Sequence, residues 1–286
     1  MAVELRHLRC LVAVADEGTL TDAAIALGIS QATASRTLAA LEAELGVLLV
    51  RRTSRELSLT GTGRDVLTRA RHVLAETDSL VQEVRSGHAH LRLGHAWSAL
   101  GRHTLAFQRR WSAERPGTEL HLVRTNSPTA GLAEGTCRLA VLRLAPDPKR
   151  YDSVVVGLER RYCAVAADDP WARRRSVRLA DVSERVLLVD ERTGSTTLDL
   201  WPAGSRPATE RTDDIDDWLA VIATGRCVGV TAEATVAQHP RPGVVYRPVA
   251  DAEPVVVRLA WWRGEKHPDT DLAVQLATAL YQGAAG

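Results

Sequence analysis

A short polar segment near the N-terminus has the composition of a surface that contacts nucleic acid. Residues 30–36 read SQATASR, and Ser30 is placed to cap a helix that ends at Gly46. In a major groove, glutamine bonds adenine and arginine bonds guanine or phosphate, so Gln31 and Arg36 suit that role. A solvent-exposed polar helix face has the same composition, and the segment alone leaves both interpretations open.

Three arginines farther along favour the nucleic-acid interpretation. Arg51, Arg52 and Arg55 fall where two brief strand-like runs, VLLVRRT and RELSLT, meet in a predicted wing. Guanidinium groups beside a groove supply affinity through phosphate or minor-groove contacts. Net charge gives no independent support, because the 36 basic and 35 acidic residues nearly cancel.

The helices that position these side chains follow from the glycine spacing. Apolar residues at helical spacing predict a first helix that stops at Gly18. A short second helix, capped by Thr19 or Thr21, ends at Gly28, and the third begins at Ser30. A short helix, a tight glycine turn and a further helix form a helix-turn-helix.

A longer helix is predicted next. The segment from Arg64 to Arg85 lacks proline and glycine, and its apolar residues recur at intervals of four and three. This seam comprises Val66, Ala70, Val73, Thr77, Leu80 and Val84, widened by Leu67, Leu74 and Val81. Such a heptad pattern predicts a helix that pairs with a second copy of the chain, and packing against its own domain is the alternative.

Residues 90–286 alternate between strand-like and helix-like runs. The predicted strands are HLRLGHAW, TELHLVRT, RLAVLRL, YCAVAA, VLLVD, CVGVTA and VVVRLAWW. Helices are predicted at 98–117, near Leu179, and at 215–224 and 272–281. This alternation predicts mainly parallel sheets covered by helices, and Trp261 and Trp262 are expected in the core or along a cleft wall.

Residues 3–63 resemble the winged helix-turn-helix of LysR-type transcriptional regulators. The resemblance is carried by LRHLRCLVAVADEGTLTDAA, LGISQATASRTLAALEAELGVLLVRRT and LSLTGTG. By position it implies DNA contacts from Ser30, Gln31, Ala32, Thr33, Ser35, Arg36, Arg52, Thr53 and Arg55. Three positions depart from the usual family pattern: Ala32 stands where proline or serine is common, Val50 where phenylalanine packs the wing, and Leu48 where a polar residue is frequent.

The remainder resembles the family more loosely. Residues 62–86 match its linker helix, and the C-terminal portion resembles type 2 periplasmic binding proteins, with two α/β subdomains joined by two crossover strands. The expected fold is therefore an α+β multidomain chain. We predict a winged helix-turn-helix at 1–61, a linker and dimerisation helix at 62–88, and an effector-binding domain at 89–286. Within that domain, subdomain I is expected at about 89–152 plus 254–286 and subdomain II at about 153–253.

By analogy with that fold, a small-molecule effector would sit in the cleft between the subdomains. Helix N-termini offer free backbone N–H groups and partial positive charge, which suit a polar or anionic ligand. The candidate effector residues are Ser98, Thr125, Asn126, Ser127, Thr193, Gly194, Ser195 and Thr196. Helix capping and turn formation are the alternative for each of them.

The resemblance implies double-stranded DNA as a partner, read as an interrupted inverted repeat by a dimer or tetramer, with an effect on RNA polymerase contact. No cofactor is predicted. A LysR-type regulator without a ligand, controlled constitutively or by a protein partner, is the alternative. An enzyme fused to a helix-turn-helix is the weakest hypothesis. The chain's two lysines, Lys149 and Lys266, lie in polar contexts, and no nucleophile-elbow or phosphate-loop motif is present.

Metal sites are not predicted either. Asp213, Asp214, Asp216 and Asp217 precede an apolar helix, where acidic residues favour the helix dipole. His88, His90 and His95 begin a strand, and no neighbouring carboxylate or cysteine completes a zinc set. The four cysteines, Cys10, Cys137, Cys163 and Cys227, lie far apart and are expected to be reduced, packed thiols.

Length and composition are consistent with this organisation. The 286 residues suffice for two or three compact units, and 45% are apolar, as in globular proteins. No apolar run approaches the roughly 20 residues that span a bilayer, and the N-terminus lacks the pattern of a secretion signal. We therefore expect a cytoplasmic protein without a membrane partner.

Overall fold

The structure is a computed structural model that describes residues 3–52, 57–86 and 89–283. Within these ranges, the structure describes only the backbone of Arg52, Ser79, Gln82, Glu83 and Ser86. The chain divides into two compact units, residues 1–87 with 133–136 and residues 88–132 with 137–286. No helix in the described part of the chain is both long and apolar enough to cross a membrane.

The first unit contains a helix-turn-helix, a hairpin and a long helix. In chain order its elements are α1 (Leu5–Glu17), α2 (Leu20–Ala26), α3 (Gln31–Leu45), β1 (Val50–Arg52), β2 (Leu57–Leu59) and α4 (Gly61–Ser86). Gly18 and Gly46 end α1 and α3 in the left-handed conformation. Thr19 caps α2 and Ser30 caps α3. The predicted ends of α1 and α3 and the cap of α3 are confirmed, whereas α2 ends at Ala26, before the predicted Gly28, and α4 begins at Gly61, before the predicted Arg64.

The apolar seam of α4 divides into two parts. Leu67 and Ala70 pack into the core of the first unit against residues of α1 and α3, such as Leu11 and Leu38. The apolar side chains farther along the helix are exposed: Val73, Leu80, Val81 and Val84. Packing within its own unit therefore accounts for the first turns of α4, and the later turns present an apolar face.

The second unit contains two α/β subdomains. In chain order its elements are β3 (Ala89–His95), α5 (Thr104–Glu114), β4 (Thr118–Arg124), β5 (Leu139–Leu142), β6 (Tyr151–Glu159), β7 (Arg161–Ala166), α6 (Leu179–Ser183), β8 (Val186–Val189), β9 (Ala208–Arg211), α7 (Ile215–Ala223), β10 (Gly229–Ala232), α8 (Glu233–Gln238), β11 (Val244–Pro248), β12 (Val255–Trp262) and α9 (Thr270–Gln282). Strands β6, β9 and β11 and helix α8 were not predicted. The predicted helices near Leu179, at 215–224 and at 272–281 are confirmed as α6, α7 and α9.

The expectation of mainly parallel sheets is wrong. The first sheet has the order β4-β3-β5-β12-β6, in which β3 is parallel to β4 and β5 but β12 is antiparallel to β5 and β6. In the second, β10 and β11 both pair antiparallel with β7, and a separate two-stranded sheet consists of the parallel strands β8 and β9. The chain crosses between the subdomains from β6 to β7 and again from β11 to β12. A strand that returns from the other subdomain enters its sheet in the reverse direction, which the strand–helix alternation does not reveal.

Helices α5 and α9 cover one face of the first sheet. Phe107 and Trp111 of α5 and Leu276 of α9 pack on Leu91 and Leu93 of β3. Trp261 and Trp262 are buried in the two cores of this sheet, which decides between the two predicted locations. The four cysteines are free and buried, as expected: Cys10, Cys137, Cys163 and Cys227.

Candidate nucleic-acid interface and ligand cleft

The first turn of α3 is organised by its cap. Ser30 Oγ accepts a hydrogen bond from the Thr33 backbone N–H (3.2 Å) and lies 2.8 Å from Thr33 Oγ1. Arg36 donates to the same threonine oxygen at 3.4 Å. The hydroxyls of Ser30 and Thr33 therefore bind each other, while Gln31 and Ala32 are exposed on the first turn. Ser35 is half-buried and has a hydrogen-bond or electrostatic partner.

The exposed face of α3 is narrow and bears small side chains. Ala34, Leu38 and Leu41 form its buried stripe. On the opposite side, at the spacing of one helix face, lie Ala32, Arg36, Ala39 and Ala43, all exposed. Alanine adds little bulk, so this face permits close approach of the helix to another surface, with Arg36 as its one charged group.

The hairpin after α3 is tied to the helices by backbone contacts. The Glu42 carboxylate accepts hydrogen bonds from the N–H groups of Leu49 (2.7 Å) and Val50 (3.1 Å). Gly63 of α4 packs so closely that an added Cβ would lie 2.0 Å from the Leu49 carbonyl oxygen. Val50 is 5% exposed, so it fills the wing core at the position where the family usually has phenylalanine.

The predicted wing residues are only partly described. Arg51 is exposed and pairs with Ser58, and the backbone of Arg52 pairs with Leu57. The Arg52 side chain lies outside the described residues, as do Thr53 and Arg55 entirely.

A second candidate site lies between the two subdomains of the second unit. Six of the eight predicted effector residues line this cleft: Ser98, Ser127, Thr193, Gly194, Ser195 and Thr196. Thr125 and Asn126 do not line it. Its interior has a volume of about 50 Å³, which is room for about four water molecules.

Arg143 lines one wall of the cleft and forms a buried ion pair with Glu159, which lies outside the lining. Nε and Nη2 of Arg143 lie 2.9 Å from the two carboxylate oxygens of Glu159. Arg143 also donates to the carbonyl oxygens of Ser98 and Ala99, both at 2.7 Å. These contacts use four of the five guanidinium N–H groups. The Tyr281 hydroxyl donates a hydrogen bond to Glu159 Oε1 at 2.6 Å, and Tyr281 does not line the cleft.

Mutual attraction keeps this pair charged. Burial raises the pKa of the Glu159 carboxyl, but the adjacent Arg143 guanidinium outweighs burial and the pKa lies below its ordinary value. Burial likewise lowers the pKa of Arg143, and Glu159 more than offsets it, so the pKa is raised. Burial together with Glu159 raises the pKa of Tyr281, which stays a hydrogen-bond donor.

Two hydrogen-bond donors of the cleft lining lack a partner within the described part of the chain. Ser98 is 2% exposed and its Oγ makes no hydrogen bond, and the Nε1 of Trp97 is buried without an acceptor. Trp97 contacts Trp218, whose own Nε1 donates to the Leu188 carbonyl at 2.9 Å. A buried polar group without a partner is costly, so both donors suit a ligand that accepts hydrogen bonds.

The opposite wall is a tight polar loop. The Asp190 carboxylate accepts hydrogen bonds from the N–H groups of Arg192 (2.8 Å) and Thr193 (3.3 Å) and from the Thr193 hydroxyl. Gly194 is required here because an added Cβ would lie 2.3 Å from the Asp190 carbonyl oxygen. Turn formation therefore accounts for the polar groups of Asp190 and Thr193, and the Thr196 hydroxyl donates to the more distant Val230 carbonyl at 2.7 Å.

Asn126 holds the two subdomains together beside the cleft. Its amide donates to the Asp213 carbonyl, and its side-chain oxygen accepts from the Thr193 hydroxyl at 3.2 Å. Next to it, Arg124 of β4 pairs with Asp214 at 2.9 Å. Asp214 is also the N-cap of α7, the role that the aspartate cluster suggested. Thr125 lies in the same segment, where its N–H donates to the His95 carbonyl at 2.9 Å.

The sequence reasoning missed the charged and aromatic members of the cleft. Arg143 and Asp190 were not singled out, nor were Trp97 and Trp218. Arg143 did carry a signal, since it is the one ionised residue inside the apolar run LAVLRL. A charge in such a run is expected to be paired if it is buried.

Two family profiles match the chain. The bacterial regulatory helix-turn-helix protein profile of the lysR family matches residues 5–64, and the LysR substrate binding domain profile matches residues 84–281. The chain belongs to the LysR family. Both parts of the sequence resemblance are thereby confirmed, as is the α+β multidomain fold class.

Individual relatives agree with this assignment. A small neutral protease regulatory protein of Streptomyces coelicolor is 32% identical over 301 residues, covering 98% of this chain and 93% of the relative. Another of that name, from Streptomyces coelicolor strain A3(2), is 35% identical over 200 residues, covering 66% of this chain but only 60% of the relative. OxyR of Escherichia coli K12, a DNA-binding transcriptional dual regulator, is 29% identical over 270 residues, covering 88% of this chain and 87% of the relative. These LysR relatives are named as regulators, in agreement with the prediction that the chain is not an enzyme.

Solved structures show the same fold. CbnR, a LysR family transcriptional regulator, superposes with a TM-score of 0.66 at 22% identity, over 99% of this chain and 100% of CbnR. CbnR complexed with its target DNA gives a TM-score of 0.62 at 22% identity, again over 99% and 100% of the two chains.

Proposed function

We propose that this LysR-family protein regulates transcription by binding double-stranded DNA through the first two turns of α3. Gln31 and Ala32 would meet base edges, and Arg36 would meet phosphate or guanine. The exposed, alanine-rich face of α3 carries this proposal, because it lets the helix enter a major groove about 12 Å wide without bulky obstruction. Ser30 and Thr33 hold the helix start, and Ser35 would contact the adjacent sugar-phosphate.

The hairpin would supply the second set of contacts. Arg51 is exposed on β1, and Arg52, Thr53 and Arg55 continue toward the tip of the wing in sequence. We assign the chain's parts as first predicted: DNA binding at 1–61, the linker helix at 62–88 and effector binding at 89–286. A DNA target implies the cytoplasm as the site of action, and contact of the DNA-bound protein with RNA polymerase would be one route to an effect on transcription.

Binding to an operator tests the α3 proposal. Arg36→Ala should weaken affinity by about tenfold and reduce the dependence on salt, whereas Gln31→Ala should change base preference at one position of each half-site. Fluorescence anisotropy on DNA from upstream of the protein's own gene measures both effects. Arg110→Ala is the charge-matched control, since Arg110 is exposed on α5 in the second unit. Unchanged affinity and base preference in both α3 variants would refute the placement.

We further propose that two copies pair through the later turns of α4. Leu80 is 62% and Val84 is 77% exposed, although apolar residues at heptad spacing are stable when a second helix covers them. The pairing would set two α3 helices about one helical turn of DNA apart, which suits an inverted repeat. Association of two dimers would give the tetramer.

A charged residue at the centre of the exposed apolar face of α4 tests whether two copies pair through this helix. Leu80→Glu should dissociate the dimer at micromolar concentration, because it places like charges on facing helices. Sedimentation velocity measures the mass, and Asp78→Glu on an exposed part of the same helix is the control. A dimer that persists in Leu80→Glu would show that the copies associate elsewhere.

For the effector, we propose a small carboxylate bound in the cleft. The unpartnered donors of Ser98 and Trp97 and the remaining N–H of Arg143 would bind its oxygens. The Arg143 charge is balanced by Glu159, so recognition would depend on directed hydrogen bonds rather than on net positive charge. The small interior favours a ligand of only a few heavy atoms.

A carboxylate panel tests this assignment. Acids of two to four carbons are added to the protein, and the unfolding temperature is measured. Ser98→Ala should lower the affinity for the stabilising acid by about 10- to 100-fold, which corresponds to the loss of one hydrogen bond to a charged group. Ser153 is an exposed serine on β6, and Ser153→Ala should leave the affinity for the acid unchanged. If no acid stabilises the parent protein, the carboxylate assignment fails and ligand-independent regulation is favoured.

Thiol oxidation is not the proposed signal, although several relatives are named hydrogen peroxide-inducible genes activators. In this chain all four thiols are buried. Burial raises the pKa of Cys10 and Cys227, and raises that of Cys163 to about 12. The thiolate is the form that reacts with peroxide, so these thiols are poorly suited to sensing it.

A further inference from the structure

Two histidines and a glutamate meet on the first sheet of the second unit, away from the cleft lining. His90 of β3 pairs in register with Glu119 of β4, and His121 is two residues farther along β4. Alternate residues of a strand share a face, so all three side chains lie on one face of the sheet. The opposite face carries Leu91 and its neighbours in the core.

The donor atoms lie at separations suited to a metal ion. His121 Nε2 is 3.1 Å and His90 Nδ1 is 3.6 Å from the same carboxylate oxygen of Glu119. All three ligand atoms lie within 4.8 Å of one another. Two ligands about 2.0–2.1 Å from a tetrahedral zinc ion are about 3.3 Å apart, so two of the three separations already match.

The exposure of the cluster suits a site that loads from solvent. The side chain of His90 is 19% exposed, against 58% for Glu119 and 51% for His121. The imidazole rings are nearly perpendicular, with centroids 5.0 Å apart. His90 is therefore the least exposed of the three ligands, and the exposed His121 ring can rotate to adjust its separation from His90, which is within 4.8 Å.

We propose that His90, Glu119 and His121 form a binding site for a divalent transition-metal ion, with Zn²⁺ as the reference ion. Two imidazoles and one carboxylate favour zinc, copper, nickel or cobalt over magnesium or calcium, which prefer oxygen ligands alone. Water would complete the coordination. The site would tie edge strand β4 to β3, because its ligands come from both strands.

The three ligands are not all close together in the sequence. His90 is near His88 and His95 along the chain, and no carboxylate lies beside those three histidines in the sequence. His88 lies outside the described residues. The carboxylate and second imidazole come from β4, which the parallel pairing with β3 brings alongside.

Zinc titration of the full chain, purified without a polyhistidine tag and stripped with a chelator, tests the proposal. Isothermal titration should show one equivalent bound per chain. His90→Ala and His121→Ala should each lower the affinity at least about tenfold, and Glu119→Gln should do the same. His103→Ala is the control, because this half-buried histidine stacks on Tyr281 elsewhere in the unit and should retain full affinity.

Folding and ligand type are checked on the same samples. All seven tryptophans lie in the second unit, so their fluorescence reports whether each variant retains its fold. Cobalt substituted for zinc should give a visible spectrum without intense thiolate charge-transfer bands, because no cysteine belongs to the set. The proposal is overturned if the parent binds no zinc, if folded His90 and His121 variants bind it like the parent, or if thiolate bands appear. In the first case, the cluster is only a hydrogen-bonded histidine–glutamate group.

Discussion

Replacing Glu159 with glutamine should destabilise the second unit by about 3–5 kcal/mol, the cost of leaving one member of a buried ion pair without its partner. The side chains of Arg143 and Glu159 are only 12% and 4% exposed, and two 2.9 Å hydrogen bonds join them. The substitution conserves shape and leaves an uncompensated guanidinium charge inside the protein. Its cost therefore depends on burial more than on lost contacts.

An exposed pair provides the matched control. Arg226 and Glu210 are joined at a similar distance, 2.8 Å, but their side chains are 62% and 41% exposed. Glu210→Gln should therefore cost no more than about 1 kcal/mol. Urea unfolding followed by tryptophan fluorescence measures both variants, and it reports the second unit alone because the first contains no tryptophan.

A double variant and a pH series separate charge burial from packing. Arg143→Met with Glu159→Gln should be less destabilised than Glu159→Gln alone, since it removes the unpaired charge. The pKa of Glu159 is lowered in the folded protein, so the pair contributes fully above the ordinary glutamate pKa, about 4.3, and less as the pH falls toward the lowered value. The free energy of unfolding of Glu159→Gln should not show this fall at low pH, because glutamine does not titrate. Equal costs for Glu159→Gln and Glu210→Gln would refute the reasoning.

Two further predictions concern close packing and thiol chemistry. Gly63→Ala should destabilise the first unit by about 1–3 kcal/mol in thermal unfolding followed by circular dichroism, because its Cβ would lie 2.0 Å from the Leu49 carbonyl oxygen. Gly61→Ala in the same helix has no atom within 4 Å of its Cβ and should be neutral; equal effects would contradict the packing argument. Cys163, whose pKa burial raises to about 12, should react with a thiol reagent only after unfolding, and rapid reaction of the native protein, followed by mass spectrometry, would contradict its burial.

Much of the first unit was predictable because its signals are local. Ser30 caps α3 three residues from the N–H it binds, and Gly46 ends the same helix by adopting the left-handed conformation. It was harder to predict which turns of α4 are buried. Its heptad spacing is the same before and after Ala70, and only the packing of α1 and α3 decides which turns are buried.

In the second unit, strand and helix positions were partly predictable, but strand direction was not. The direction of β12 depends on where the chain re-enters the first sheet after visiting the other subdomain. The small polar loops after strands were recognised, and six of the eight candidate residues line one cleft. Asn126 instead joins the subdomains, because its hydrogen-bond partners Asp213 and Thr193 lie 87 and 67 residues farther along the chain.

The sequence by itself determined the helix-turn-helix, its caps and the family, since these depend on residue types within a few positions of one another. Only the tertiary structure decided which charges are paired and which donors face each other. Arg143 meets Glu159 across 16 residues, and His90 meets Glu119 and His121 through pairing of separate strands. Burial sets the strength of such interactions, and burial is a property of the packed chain rather than of any local segment.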